Sequence, residues 1–462
     1  MRRPLPLVLA SLSLAGSLAV FWACSSSEPA APTVAPVPPP PGDAAVDRSV
    51  PVDAAPEPVP TCTTVDLPPA TGTKFCDLPG TDAPGLIVPP EFCAREFTTT
   101  PIAEARVIRF APNGDLFVAA PSMLTPGGAS DGPGSILVLP DDDHDGRADS
   151  VLTFAGPFPR EGAGACAGLE ADPANLACVH GLLFSGDYLY ITRNDEVRRF
   201  PYAKGARVAV SPTSELVAPL GGTGLADMRW THTLEQHPSG AIYVSRGRHE
   251  TSVCSDDEMK KGAVLAVHVE SKAALPLTAE VVANGFRNPM YLRCAPNSCG
   301  DCYAAELTGD SWDGVAGREK IALLRPNDSW GYPCCVGRDL PAPGGVTANC
   351  SNVRREIAAV PLHDTPFGID FDRGSFPAAY RHGMFMAIHG VVTSFGSTGV
   401  LWIAADPVSL RPSGEPKVFI RGAGAANGRA TDLVFAPDGR MFIADDTAGK
   451  IFWVAPRTLA AP

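Results

Sequence analysis

The sequence predicts an all-β propeller, and three observations carry that expectation. Phe110–Val118, His237–Val244 and Phe435–Ile443 repeat one design: an apolar strand end, a Pro-x-Gly turn, then an alternating strand. Glycine at the last turn position supplies a positive φ, so each segment reads as a hairpin. Ser185–Ile191 is a shortened version. The strands are short, set apart by turns, and show little helical periodicity. Their unequal spacing argues for a radial array with long insertions rather than a regular solenoid. The repeats alone allow roughly five to eight blades. Ile451–Val454, the last strand, is placed to pair with early strands and close the ring.

Taken from the N-terminus, the chain of 462 residues begins with a segment that is not expected to fold. Met1-Arg2-Arg3 and the apolar Ala/Leu/Ser-rich run to Ala23 read as an export signal. The run is near the minimum for a membrane span, so an uncleaved anchor stays open. Cys24 before Ser25-Ser26-Ser27 resembles a bacterial lipoprotein junction, where the cysteine is acylated and becomes the new N-terminus. Ala23 suits that pattern; Phe21 and Trp22 are bulkier than it usually allows. Residues 1–24 are therefore expected to be a signal ending at a lipidated Cys24. Residues 25–61 are Pro/Ala/Val-rich, with Pro38 to Pro41 consecutive, and read as a disordered, extended spacer. A Cys-containing extension over 62–99 then leads into the propeller, 100–462. About 400 residues exceed what one compact core usually supports, and radial repetition resolves this by giving each blade its own core.

Formal net charge is −13, and loss of Arg2 and Arg3 with the leader makes it more negative. That sign repels phosphates and argues against nucleic acid. Thirteen cysteines less Cys24 leave an even set, at 62, 76, 93, 166, 178, 254, 294, 299, 302, 334, 335 and 350. In an exported chain this reads as a disulfide framework of undetermined pairing. Cys294-x4-Cys299-x2-Cys302 coincides with a plant-type iron–sulfur spacing, but exported cysteines oxidise, so bridges are expected there too.

Asp141-Asp142-Asp143-His144-Asp145-Gly146-Arg147-Ala148-Asp149 places acids at loop positions one, three, five and nine, with glycine at six. That is a calcium-loop spacing, with Asp141, Asp143, Asp145 and Asp149 as ligands. Leu152 stands where the usual bidentate glutamate would be, so an exposed acidic hairpin tip is the competing reading. A bound Ca²⁺ here would tie a blade connection.

Gly285-Phe286-Arg287-Asn288-Pro289 puts a fixed cation, an amide and a rigid proline on one short loop. Upstream lies Trp230-Thr231-His232-Thr233-Leu234. Downstream come Trp330-Gly331-Tyr332-Pro333, His363-Asp364-Thr365-Pro366-Phe367-Gly368 and Phe376-Pro377-Ala378-Ala379-Tyr380-Arg381. In this order and at these distances the segments resemble the glucose/sorbosone dehydrogenase family, over roughly residues 100 to 456.

The resemblance implies a six-bladed propeller that uses pyrroloquinoline quinone (PQQ) and Ca²⁺. In that family a histidine takes the proton of a sugar's anomeric hydroxyl while hydride passes to the quinone. Arg287 matches the arginine beside the quinone and Asn288 the neighbouring cofactor contact; alternatively Arg287 pairs with a core carboxylate. Arg429, in Gly428-Arg429-Ala430-Thr431-Asp432-Leu433, matches an arginine that binds a cofactor carboxylate, with a surface role as the alternative. His389-Gly390 matches a strand ending in His-Gly, although Val391-Val392-Thr393-Ser394 replaces the family's Ser-Trp-Asn-Arg. His389 is thus a cofactor contact or a satisfied core histidine. Gly309 and Asp310, in Glu306-Leu307-Thr308-Gly309-Asp310, fall where the family's metal loop lies, and a polar surface turn is the alternative.

The catalytic position departs from the family. Counting back from His237 reaches Arg229, where a histidine is usual, and His232 stands three residues later. Arginine cannot accept a proton at workable pH, so His232 is expected to be the base and Arg229 a cofactor contact. Residues three apart on a strand face opposite ways, so this needs a bulge.

The resemblance thus implies PQQ-dependent oxidation of an aldose or related sugar, with electrons passed to an external acceptor. The site is expected on an exported protein, lipid-anchored in the periplasm or outer membrane. The Arg229/His232 exchange also fits a propeller that has lost turnover and binds a ligand or a protein at the cell surface.

Overall fold

The structure is a computed structural model describing residues 63, 74–79, 83, 85–98, 100–121, 134–158, 176, 178–193, 196–221, 229, 231–271, 273–312, 315, 317–392, 397–422 and 428–458. All lie in one unit, Pro58–Pro462. The signal, Cys24 and the linker 25–61 fall outside the described residues.

Six antiparallel sheets follow one another along the chain. Strand β1 (Phe92–Glu96) comes first but belongs to the last blade. Blade 1 is β2 (Val107–Phe110), β3 (Leu116–Ala120), β4 (Gly134–Leu139) and β5 (Leu152–Phe158). Blade 2 is β6 (Val179–Ser185), β7 (Tyr188–Arg193), β8 (Glu196–Pro201) and β9 (Glu215–Pro219). Blade 3 is β10 (Leu234–Gln236), β11 (Ile242–Arg246), β12 (Ala263–Val267) and β13 (Ala279–Asn284). Blade 4 is β14 (Asn288–Cys294), β15 (Cys302–Leu307), β16 (Arg318–Leu324) and β20 (Ala358–Pro361). Its long insertion carries β17 (Asp328–Ser329), which adds in parallel to β13, and the hairpin β18 (Cys335–Gly337) and β19 (Leu340–Pro341). Blade 5 is β21 (Pro366–Phe371), β22 (Met384–Val392), β23 (Ser397–Ile403) and β24 (Lys417–Arg421). Blade 6 is β25 (Ala430–Phe435), β26 (Met441–Asp445) and β27 (Lys450–Pro456), completed by β1. The innermost strands β2, β6, β10, β14, β21 and β25 each contact the next, and β25 contacts β2, so the ring is closed.

The repeated hairpins form as the sequence predicts. Gly114, Gly240 and Gly439 take φ of 97°, 98° and 92°. Each donates its N–H to the carbonyl three residues earlier, at Ala111, His237 and Ala436. These turns join the first two strands of blades 1, 3 and 6. Apolar layers lie between neighbouring blades, such as Ala241, Val264, Leu292 and Ala304 between blades 3 and 4.

The segment 62–99 is more than an extension. β1 pairs with β27 from Phe92↔Pro456 to Glu96↔Phe452, so it is the outermost strand of blade 6. The expected closure by Ile451–Val454 therefore happens, through a partner more than 350 residues upstream in the chain. Cys76–Cys93 staples the preceding turn to this strand. Phe75 meets Trp453 edge-on, and Trp453 Nε1 donates to Gly146 O at 2.7 Å.

All ten cysteines among the described residues are disulfide-bonded. Cys254–Cys334 and Cys335–Cys350 brace the blade 4 insertion, and Cys294–Cys302 bridges the facing ends of β14 and β15. Cys178 and Cys299 are also bonded. The disulfide framework is as expected, and the iron–sulfur spacing is explained by bridges.

Trp453→Ala should lower unfolding free energy by about 3–5 kcal/mol, the usual cost of emptying a buried aromatic site. Chemical denaturation followed by circular dichroism measures it; an unchanged midpoint would show that the β1–β27 seam does not hold the ring.

Candidate active site

In each blade the innermost strand begins at the same face of the ring, so residues just before β2, β6, β10, β14, β21 and β25 share one mouth. The loops after β11, β15, β22 and β26 return to that face. This topology gathers Arg106, Arg229, Arg287, Asn288, His389, Arg429 and Asp446, which are far apart in sequence.

The Arg287 loop is shaped by its neighbours. Gly285 has φ of 76°, and a Cβ there would lie 2.6 Å from Gly331 N. Only glycine lets the Trp330–Gly331 segment approach, after which Phe286 stacks on Trp330 at 5.6 Å. Arg287 is buried. Its Nη1 donates to Thr308 O at 2.8 Å, Glu250 Oε2 lies 2.6 Å from Nε, and Asp310 pairs with Nη2. Its backbone N–H donates to Glu306 Oε1 at 2.9 Å. Asn288 is buried beside it, with Oδ1 accepting no hydrogen bond. A Cβ on Gly247 would lie 2.1 Å from that oxygen and 3.2 Å from Arg229 Cβ. Arg229 therefore stands next to Asn288. Its buried Nε has no hydrogen-bond partner, and it pairs with no carboxylate among the described residues. Burial and the neighbouring Arg287 charge both pull its pKa down.

His232 does not meet the demands placed on it. It is 0% exposed, with both ring nitrogens sealed from solvent and without hydrogen-bond partners. Burial drives its pKa to about 3. β10 pairs regularly with β11 from Leu234 to Gln236, while Arg229 N–H donates to Gly247 O at 3.2 Å, two residues out of that register; the irregularity leaves the His232 ring sealed. Its backbone carbonyl accepts from His180 Nδ1 at 3.1 Å and Thr192 Oγ1 at 2.6 Å, which ties blade 2 to blade 3.

Gly309 and Asp310 also differ from the metal-loop expectation. Asp310 and the Thr308 carbonyl are engaged by the Arg287 guanidinium, so a second cation would meet donors already taken and a like charge beside them. The donor set does not fit Ca²⁺.

On the other side of the mouth, His389 Nε2 lies 3.1 Å from Asp446 Oδ2. Arg106 reaches the same oxygen at 3.3 Å, and Arg429 Nε donates to His389 O at 3.2 Å. Arg429 is exposed.

On the opposite face, Asp141, Asp143 and Asp145 offer carboxylate oxygens within 4.8 Å of one another. Asp149 instead accepts Asp142 N–H at 2.6 Å, closing the loop rather than joining the trio. Arg207 fixes Asp142 and Asp115 together. A cleft of about 280 Å³ beside this loop, lined by Asp141, His144, Arg207 and Arg440, is remote from the mouth.

Glu250, Glu319, Asp446 and Arg106 are polar residues of this face that sequence reasoning missed. Single charged residues without a local pattern give no signal; only the topology gathers them.

The closed ring of six blades is a fold shared with proteins solved as sugar dehydrogenases. The calcium structure of Trichoderma reesei Carbohydrate-Active Enzymes Family AA12 is 16% identical, covers 82% of this chain and 99% of its own, and superposes with a TM-score of 0.63. The holo form of the pyranose dehydrogenase PQQ domain from Coprinopsis cinerea is 13% identical over 82% and 98%, with a TM-score of 0.58. The apo soluble aldose sugar dehydrogenase from Escherichia coli is 12% identical over 79% and 99%, with a TM-score of 0.55. At these identities the likeness is one of fold. No protein-family model and no curated relative matches the chain. The resemblance read from the ordered motifs and the fold neighbours point to the same group of propellers.

Burial lifts the Glu306 carboxyl to about 8 and that of Glu319 to about 7. A carboxyl raised in the folded state keeps its proton where the unfolded chain has lost it, so stability falls as pH rises through that window. Glu306→Gln keeps the acceptor for Arg287 N–H and removes the titration. Its thermal midpoint should gain on wild type between about pH 4.5 and about pH 8. Parallel midpoints across that range would show that Glu306 is not buried as a protonated acid.

Proposed function

We propose that the protein is an exported, PQQ-dependent dehydrogenase of an aldose or related sugar, passing electrons to an external acceptor. The observation that carries this is Arg229, a half-buried cation in ion-pair contact with no carboxylate among the described residues, beside the unpaired amide oxygen of Asn288. Asp310 and Glu250 offset its charge only from a distance, so the position favours an anion, and PQQ brings carboxylates. Likeness of fold to a PQQ domain and to aldose dehydrogenases supports the same reading.

When bound, the quinone supplies a two-electron acceptor for hydride. Arg229 and Arg429 would neutralise its carboxylates, and Arg287, already fixed by Glu250 and Asp310, would present its remaining edge to developing charge. Ca²⁺ belongs in this reading at Asp141, Asp143 and Asp145, whose oxygens suit a hard cation, as a structural ion rather than a partner in the chemistry. Export with a lipid on Cys24 is part of the proposal, and ten bonded cysteines agree with an oxidising compartment.

Titration of the purified chain with PQQ, followed by absorption, tests the reading. Wild type should bind, and aldose should bleach the oxidised quinone band. Arg229→Ala should weaken PQQ binding by roughly tenfold to a hundredfold, the worth of a charged hydrogen bond. Absence of binding would remove the proposal. PQQ binding without oxidation of any aldose would favour a ligand-binding scaffold, the reading that Arg229 at the usual base position and the sealed His232 support. Separately, Ca²⁺ at about a hundred times its Kd should stabilise wild type by about 2.7 kcal/mol, and Asp143→Ala should abolish the shift in thermal midpoint.

A further inference from the structure

Oxidising a hydroxyl by hydride transfer leaves a proton to be taken up. Arginine at 229 cannot take it, and the ring of His232 is sealed. His180 is 0% exposed and its Nδ1 faces a carbonyl, which can only accept. We propose that His389, oriented by Asp446, is the general base for hydroxyl oxidation at this mouth, an inference that rests on the quinoprotein reading above.

The geometry is that of a held imidazole. The ring lies parallel to Phe367, 4.2 Å away with an interplanar angle of 2°. Its backbone N–H donates to Thr365 O at 3.0 Å, and Arg429 holds its carbonyl. Register breaks flank it on both partners of β22, between Pro366 and Ile369 and between Ile388 and Val392. Such bulges re-aim side chains. Asp446 is itself fixed by Arg106 at 3.3 Å and by Thr447 Oγ1 at 3.1 Å.

With Nε2–H directed at Asp446, the neutral ring carries its lone pair on Nδ1. That nitrogen bonds to no described residue and, unlike those of His232, is not sealed from solvent. In the step, the anomeric O–H proton would pass to Nδ1, and a quinone held by Arg229 and Arg429 would supply the acceptor for the C1–H electron pair, leaving as hydride. The C1–O bond becomes the lactone carbonyl, and Asp446 stabilises the imidazolium formed.

The charged groups facing His389 set its titration. Burial lowers its pKa most, Asp446 raises it, and Arg106 and Arg429 lower it, to about 4. Glu104 pairs with Arg106, and Asp445 adjoins Asp446. The ring is therefore neutral near pH 7, with its lone pair free, and by itself is a weak base. An anion on Arg429 would raise its basicity.

The full chain loaded with PQQ decides the matter. His389→Gln should bind PQQ as wild type does and lose turnover by roughly 10²- to 10⁴-fold, the usual worth of a general base. Exogenous imidazole should restore part of it in His389→Ala. Asp446→Asn, a positioning change, should move the acid limb of kcat/KM to lower pH. It should also lower the His389 pKa read by NMR on the cofactor-free chain. Unchanged turnover in His389→Gln would overturn the inference while leaving the quinoprotein reading intact. Loss of PQQ affinity with unchanged turnover per bound cofactor would make His389 a cofactor contact and also overturn it. If wild type binds no PQQ, both readings fall.

Discussion

The ring depends on side chains that cross from one innermost strand to the backbone of the next. Radial sheets share no ladder at the axis, so many polar groups facing the channel are satisfied by a neighbouring blade. Asp432 accepts Ile108 N–H at 3.0 Å and Asp370 accepts Phe435 N–H at 2.9 Å. Glu235 accepts Cys294 N–H at 3.2 Å, and Arg293 donates to Ile369 O at 3.1 Å. Thr431 reaches Ala105 O, and Tyr291 reaches Arg106 O across the ring. Arg109 pairs with Asp432, and Arg293 with Glu235 and Asp370, so the axis is a belt of alternating charge rather than an apolar core. Burial raises the Asp432 and Glu235 pKa values, and the two arginines oppose the rise.

That belt fixes where chemistry can sit. Charges at its depth satisfy one another, whereas those at the mouth are unevenly partnered. Arg287 is locked by two carboxylates, Arg106 is shared between Glu104 and Asp446, and Arg229 is in ion-pair contact with no carboxylate among the described residues. The mouth therefore combines rigid groups with an unmet demand for negative charge, which is what preorganised binding requires.

Much of the fold was legible because the hairpin turns oblige glycine at Gly114, Gly240 and Gly439. Blades 4 and 5 were not, since other devices make their first turns. The blade 4 turn is clamped by Cys294–Cys302, and in blade 5 Asp372 accepts from Gly374, Phe376 and His382 N–H. Neither leaves a Pro-x-Gly trace. At the site, the Gly285–Pro289 loop was legible because its glycine and aromatic are needed locally. His232 was misread because its type suits a base, while strand alternation, which argued against it, decided its environment. Asp446 and Glu250 carry no local signature, and their partners come from other blades.

The seam between β1 and β27 sets the order in which the molecule can assemble. The hairpins are local, and Cys76–Cys93 spans only 17 residues, so these form without the rest of the chain. The seam instead joins strands at the two ends of the domain, and closing so long a loop costs the most chain entropy of any pairing here. It is therefore expected to form last. Until Lys450–Pro456 has docked on β1, the chain remains an open arc whose sixth blade lacks its outer edge, and the mouth has no complete circumference.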